Sequence, residues 1–160
     1  MSSVLVIGAL ACTAVRSPAP PTGTVSLTAR LWHDRRTTLT GMHGDWTEEA
    51  KVEVRSAGAK GMGAFAAEDI PEGRWVGTYQ GTLTTDEETA ARYNGAPADY
   101  IFGIDNEFSI DAQNSTHFTR FFNHAQGGNL ETRVDTDNRR IDFVAARDIS
   151  VGEEMTFDCT

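Results

Sequence analysis

The chain has 160 residues, of which 39% are hydrophobic and 23% are charged. This is an ordinary globular composition, and the length suits one domain with a substantial core rather than two. The formal net charge of −9 argues against direct nucleic-acid binding and favours basic, Lys/Arg-rich peptide partners, although a solvated acidic surface explains it equally well. Cys12 and Cys159 are the only cysteines, which excludes a disulfide framework and a cysteine-rich zinc site.

The N-terminal segment differs from the rest of the chain. Val4 to Val15 is an apolar run that is too short to span a bilayer and resembles the hydrophobic part of a signal peptide, but no charged region precedes it. The Ser, Thr, Pro and Arg residues that follow are typical of organellar leaders and of disordered tails. We predict a leader or loosely ordered extension over residues 1–45 and a folded domain over 46–160. A nuclear or cytoplasmic location is favoured, with organellar targeting as the alternative.

The folded domain begins with short extended segments separated by turn residues. Lys51 to Arg55 is a predicted strand, and a glycine-rich turn follows at Ala57 to Gly63. Ala64 to Ala67 is a second extended segment. Arg74 to Gly81 is predicted as a strand whose glycines allow another backbone to approach closely.

One segment has the pattern of a capped helix. Thr85 and Glu88 form the pair of a capping box, and the stretch continues to Tyr93 before Asn94 and Gly95 supply a stop. We therefore predict a short helix from Thr85 to Tyr93.

The remaining elements are predicted to be two hairpins, one helical turn and a closing strand. The first hairpin pairs Ala98–Ile104 with Glu107–Asp111, and Ser115 or Thr116 caps a helical turn that ends at Phe121. The second hairpin pairs Leu130–Val134 with Arg140–Arg147, and Met155–Phe157 is the last strand. A mostly β domain with short helices is the expected fold class.

The C-terminal stretch from Gly152 to Thr160 is unusual, because chain ends that are not anchored generally fray. Met155 to Phe157 is an apolar, β-favouring run. We expect it to be buried and to carry Asp158 and Cys159 inward, where polar groups need partners.

Four short motifs occur in a fixed order: GMG at 61–63, YQG at 79–81, RFFNH at 120–124 and GEEMTFD at 152–158. Together they resemble the SET domain family, whose pattern includes G-x-G, Y-x-G, R-F-x-N-H and a terminal G-E-E-L-T-F-D-Y. The resemblance covers about Lys51 to Thr160, and the last two motifs are specific. It implies a SET-type β-clip fold of small curved sheets in which the C-terminal segment passes beneath a loop as a pseudoknot.

The resemblance also implies a function, an S-adenosylmethionine-dependent protein-lysine N-methyltransferase that acts on a histone tail or another basic peptide in chromatin. The positions that match the family's cofactor site are Gly61, Met62, Gly63, Asn123 and His124. The positions that match its lysine channel are Tyr100, Phe157 and Cys159. The alternative is a catalytically degenerate SET module that binds cofactor or peptide without turnover. The oligomeric state is left open.

The sequence departs from the family pattern at two places. Cys159 stands where the family has a catalytic tyrosine, and a cysteine is shorter and a weaker hydrogen-bond donor than a phenol. We expect reduced activity for this reason. Ala125 and Gln126 replace the family's Ser and Cys, so no structural zinc is expected. Three explanations stay open: a partner completes the channel, the chain is a truncated gene model, or the domain no longer catalyses.

Overall fold

Short strands make up most of the architecture in a computed structural model that describes residues 47–96 and 98–159. The predicted extension at residues 1–45 lies outside the described residues. The strands are β1 (Val52–Ser56), β2 (Met62–Ala66), β3 (Trp75–Thr78), β4 (Thr82–Thr85), β5 (Ile101–Gly103), β6 (Phe108–Asp111), β7 (Asn123–His124), β8 (Leu130–Asp135), β9 (Arg140–Ala145) and β10 (Thr156–Phe157). They form three small sheets, with the orders β1-β2, β3-β9-β8-β10-β7 and β4-β6-β5. The predicted mostly β fold is confirmed.

Helix α1 spans Asp86–Tyr93, and its predicted capping box is confirmed. The Thr85 hydroxyl accepts from the Glu88 amide at 3.2 Å, and the Glu88 carboxylate accepts from the Thr85 amide at 3.0 Å. These bonds satisfy two donors that helix geometry leaves unpaired. Because α1 buries no residue, its attachment to the sheet is polar: Arg92 and Tyr93 donate to the buried Asp111 carboxylate at 2.5 and 3.0 Å.

Both predicted hairpins are confirmed, since β5 pairs with β6 and β8 with β9 in antiparallel register. Strand β4 was not predicted, because its sequence, TLTT, lies between a glycine and a helix cap and shows little hydrophobic alternation. The cap predicted at Ser115 or Thr116 was wrong. His117 precedes the 3₁₀ helix Phe118–Phe121, and the Ser115 hydroxyl instead accepts from the His117 amide at 3.2 Å.

The C-terminal strand threads between two strands that are consecutive in the chain. β10 runs parallel to both β7 and β8 and lies between them, so the 125–129 connection must cross it. A side chain at Gly128 would meet the Thr156 carbonyl oxygen at 2.5 Å, which shows how closely this connection passes. The crossing holds β10 in place on both sides, and it is the pseudoknot that the resemblance implied, an arrangement rare among folds.

Side chains on the crossing segments stabilise it. Asn129 donates to the Glu154 carbonyl oxygen at 2.9 Å and accepts from the Thr156 amide at 2.9 Å. The Asp158 carboxylate accepts from the Gly127 amide at 3.0 Å. Met155 and Phe157 are buried as predicted, whereas Asp158 is half-buried. The threaded segment is therefore fixed by its own apolar side chains and by backbone-directed polar bonds from the loop that crosses it.

Candidate functional site

The first part of the site is the turn that leads into β2. A 3₁₀ turn at Gly58–Lys60 ends at Gly61, whose φ of 85° lies in the left-handed region that favours glycine. The Ala57 amide donates to the Gly61 carbonyl at 2.7 Å and closes the turn. Met62 follows with 48% of its surface exposed. The turn thus presents main-chain groups and one apolar side chain to the outside.

Asn123 connects this turn to the threaded sheet. Its side-chain amide nitrogen donates to the Met62 carbonyl at 3.2 Å and to the Glu154 carboxylate at 2.8 Å. Gly63 suits this position, because a Cβ there would lie 3.1 Å from both the Asn123 nitrogen and the Glu154 oxygen and would crowd them. The structure therefore brings three of the predicted cofactor residues, Met62, Gly63 and Asn123, into direct contact.

The Glu154 side chain is partly buried and has two hydrogen-bond donors. Burial opposes its ionisation, but hydrogen bonds from Asn123 and Lys60 outweigh that effect and hold its pKa below the usual range. The Lys60 ammonium lies 2.9 Å from the second carboxylate oxygen. A lysine beside the GMG turn and a glutamate beside β10 thus link the two motifs electrostatically.

His124 and Cys159 meet on the other side of β10. The Cys159 amide donates to the ring nitrogen Nδ1 of His124 at 3.3 Å, and His124 is opposite Phe157 in the parallel pairing of β7 with β10. Cys159 is partly buried and packs against the hydrophobic core. The predicted cofactor residue His124 and the predicted channel residue Cys159 are therefore neighbours.

Phe157 belongs to a buried aromatic cluster. Its ring stacks on Phe102 with centroids 5.6 Å apart and meets Phe143 edge-on at 5.4 Å. Tyr79 extends the cluster, since its ring centroid is 5.6 Å from that of Phe102. Such contacts stabilise beyond the area that they bury. We call these four buried rings, Tyr79, Phe102, Phe143 and Phe157, the aromatic wall. The Tyr79 hydroxyl is the one polar side-chain group in it.

The Tyr79 hydroxyl links this wall to Tyr100. It donates to the Tyr100 carbonyl oxygen at 3.0 Å, and burial raises the pKa of Tyr79 well above the usual phenol value. The guanidinium of Arg120 lies 4.0 Å above the Tyr100 ring, a cation–π contact. Tyr100 therefore reaches Phe157 indirectly, through Tyr79 and Phe102.

Sequence reasoning did not assign site roles to Tyr79 and Glu154. Both lie inside recognised motifs, YQG and GEEMTFD, so the signal was present, but neither could be assigned a partner from the sequence. The pairing of Glu154 with Asn123 joins residues 31 positions apart, and only the threading of β10 creates it.

Neither a cluster of metal-binding side chains nor a membrane-spanning helix is found in the part of the chain that the structure describes. Residues 47–96 and 98–159 contain no group of three or more His, Cys, Asp or Glu side chains arranged to hold a metal ion. Within the same ranges, no helix has the length and apolar character needed to cross a membrane.

Comparison with known proteins agrees with this geometry. The family model for the SET domain matches residues 61–160, which is more than half of the sequence. The chain belongs to the SET domain family. All four motifs of this SET domain lie within the matched region. The fold places them at the start of β2, directly after β3, at β7 with the 3₁₀ turn before it, and at β10 with the residues around it.

Individual relatives are histone-lysine methyltransferases or complexes that contain SET domains. The histone-lysine N-methyltransferase EZH2 of Chaetomium thermophilum is 35% identical over 112 residues, which is 62% of this chain and 7% of the relative. A structure of the C. thermophilum polycomb repressive complex 2 with H3K27me3 and H3K27M matches with a TM-score of 0.64 and 31% identity, over 69% of this chain and 14% of that one. A structure of the same complex in an autoinhibited conformation bound to S-adenosylmethionine matches with a TM-score of 0.62 and 30% identity, over 69% of this chain and 15% of that one.

Proposed function

We propose that this SET domain is an S-adenosylmethionine-dependent protein-lysine N-methyltransferase whose activity is lowered by Cys159. The observation that carries the proposal is the contact of Asn123 with Met62 and Glu154, which brings three separate motifs together. The similar C. thermophilum complex bound to S-adenosylmethionine supports the choice of cofactor. The chain spans only a small fraction of its relatives' length, so activity, substrate and partner are proposals for this chain.

The residues at the turn suit the methionine end of such a cofactor. Both hydrogens of the Asn123 amide nitrogen are used within the protein, while no donor among the described residues is bonded to its carbonyl oxygen. That oxygen can accept a hydrogen bond from an ammonium group. Gly61, with open space where a Cβ would be, adds main-chain atoms that a ligand can approach. His124 completes the set that we propose for cofactor binding.

The aromatic wall suits the binding of the lysine amine that accepts the methyl group. A lysine amine has an ordinary pKa near 10.4 and must be neutral to react, and a dry environment disfavours its ammonium form. Phe157 and Tyr79 are buried and exclude water, while the Tyr79 hydroxyl, already donating to Tyr100, keeps lone pairs that can accept from the amine. When bound, S-adenosylmethionine would supply the methyl group from its sulfonium. The protein's contribution is alignment and exclusion of water.

Cys159 is the weak point of this arrangement. It lies next to His124 and Phe157, where the family pattern has a tyrosine, and no cysteine can place a phenol hydroxyl in the channel. Loss of correct alignment of a reacting group can cost about 10²-fold in rate. We therefore propose slow methyl transfer, with Phe157 and Tyr100 lining the channel.

A basic peptide such as a histone tail is the proposed substrate. The net charge of −9 favours the approach of Lys/Arg-rich segments, and the similar complex with H3K27me3 and H3K27M supports a histone peptide. A non-catalytic module is the second candidate, because Cys159 removes a group for chemistry without removing the residues proposed for binding.

The test is calorimetric titration with S-adenosylmethionine together with a methylation assay on a histone H3 peptide. Wild type is expected to bind the cofactor and to transfer methyl groups slowly. Cys159→Tyr should raise the rate about 10²-fold, the size of an alignment effect, whereas Cys159→Phe, which restores the ring without the hydroxyl, should not. Binding without any turnover, rescued by tyrosine, would favour the degenerate module. Binding of neither cofactor nor peptide would refute both candidates.

A further inference from the structure

We infer that Glu154, supported by Lys60, is a positioning residue that fixes the side-chain amide of Asn123 in one orientation. This inference deepens the proposed function, because the orientation determines which atom of Asn123 faces a bound ligand. It rests on two hydrogen bonds to the Glu154 carboxylate, from Asn123 and Lys60, on the hydrogen bond from Asn123 to the Met62 carbonyl, and on the hydrogen-bonding capacity of each group.

The amide orientation follows from its partners. A side-chain amide has two donor hydrogens on nitrogen and an acceptor oxygen, and the two ends are distinguished by their hydrogen bonds. The Met62 carbonyl and the ionised Glu154 carboxylate can only accept, and they lie 3.2 and 2.8 Å from the same Asn123 atom. That atom must be the nitrogen. The acceptor oxygen therefore points away from both groups.

Glu154 is itself held in place. Its second oxygen accepts from Lys60 at 2.9 Å, so each carboxylate oxygen has a different donor. The Glu154 side chain is 22% exposed and the Lys60 side chain is 48% exposed. Lys60 is therefore in contact with water, while Glu154 is more shielded. A flipped Asn123 amide would direct its oxygen at the partly buried Glu154 carboxylate and at the Met62 carbonyl, two groups that only accept, and this disfavours the alternative orientation.

The fixed orientation of Asn123 affects the binding of one part of a ligand and not of the rest. A fixed amide presents its oxygen to a hydrogen-bond donor, such as the α-ammonium of an amino acid, and contributes no hydrogen bond to a ligand that has no donor at that position. Glu154 is thus expected to control recognition of the amino-acid end of the cofactor rather than of its nucleoside end. Charge-assisted hydrogen bonds of this kind are stronger than neutral ones.

The experiment compares two probes in wild type and Glu154→Gln: S-adenosylhomocysteine, which has the amino-acid end, and 5′-methylthioadenosine, which lacks it. In the variant a single amide oxygen must serve two donors, Asn123 and Lys60. We expect affinity for S-adenosylhomocysteine to fall about tenfold, with less than a twofold change for 5′-methylthioadenosine. Glu153→Gln is the matched control, because Glu153 bonds to Arg147 and Asn129 and not to Asn123.

A second variant tests the role of Lys60. In Glu154→Gln with Lys60→Met, the amide oxygen no longer has to serve a lysine and can accept from Asn123. We expect the double variant to recover most of the lost affinity for S-adenosylhomocysteine, a coupling that a double-mutant cycle measures. Equal weakening of both probes, or no recovery in the double variant, would overturn the inference.

A ligand-free measurement separates this inference from the proposed function. On acid titration the Asn123 side-chain amide protons should shift in NMR spectra as Glu154 protonates, and Glu154→Gln should abolish that shift. If wild type binds neither probe, the proposed function fails, and the amide titration alone decides the inference. If the chemical shifts of the Asn123 amide protons do not change when Glu154 is protonated, the inference is refuted.

Discussion

The two halves of the candidate site are built on different principles. The turn around Met62 and Asn123 is polar, and its atoms are placed by directed hydrogen bonds and by the ionised Glu154. The wall around Phe157 is apolar, and its rings are placed by packing. Cys159 lies at the end of the apolar half, so the departure from the family pattern affects the chemistry proposed for that half and leaves the polar half complete. The halves should therefore respond differently to substitution and to pH.

The largest effect is expected from truncating the apolar half. Phe157→Ala removes a ring that is 9% exposed and leaves a cavity between Phe102 and Phe143, and such changes cost about 3–5 kcal/mol. Chemical denaturation followed by fluorescence or circular dichroism measures the free energy of unfolding. Met62→Ala, at a side chain 48% exposed, is the control and should change it by less than about 0.5 kcal/mol. Similar losses in both variants would contradict the packing argument.

A smaller effect is expected from crowding the polar half. Gly63→Ala would place a Cβ 2.9 Å from the Ala57 Cβ and 3.1 Å from the Asn123 amide and the Glu154 carboxylate. Overpacking of this kind costs about 1–3 kcal/mol. Adding Ala57→Gly removes the nearest neighbour and should restore part of the loss in thermal or chemical unfolding. If the double variant is no more stable than Gly63→Ala alone, the Ala57 contact is not the cause.

The smallest effect is expected from pH. A hydrogen bond from Arg147, with others from Asn129 and Ser150, lowers the pKa of Glu153 from 4.5 to about 2. Since the pKa is lower in the folded state, this stabilisation is present above pH 4.5 and is lost as the pH falls towards 2. The Glu153 side chain is 32% exposed and the Arg147 side chain 55%. Screening by solvent therefore reduces the contribution of this ion pair to stability to about 1 kcal/mol.

Glu153→Gln should therefore destabilise the protein at pH 7 and flatten its loss of stability between pH 4.5 and 2. Unfolding free energies measured across that range test this expectation, with Phe157→Leu as a variant whose cost should not depend on pH. An unchanged acid profile in Glu153→Gln would show that the ion pair with Arg147 does not contribute.

Local elements were predictable where a few adjacent residues decide the structure. The capping box of Thr85 and Glu88 defined α1, and the short stretches between Ile104 and Glu107 and between Val134 and Arg140 indicated two hairpins, because these signals act over a few residues. Strand β4 was missed because its pairing with β6, and not its own pattern, makes it a strand. The cap before Phe118 was misplaced because the Ser115 hydroxyl accepts from the His117 amide instead of capping the 3₁₀ helix.

The sequence by itself determined the family resemblance, the elements, the positions proposed for the site and the replacement at Cys159, since these depend on residue identity and short-range order. Only the tertiary structure decided which of those positions touch. Asn123 contacts Met62 and Glu154, and Phe157 packs on Phe102, because β10 inserts between β7 and β8. That insertion is a non-local pairing, stabilised by burial of Met155 and Phe157 and by the bonds of Asn129, and no short stretch of sequence encodes it.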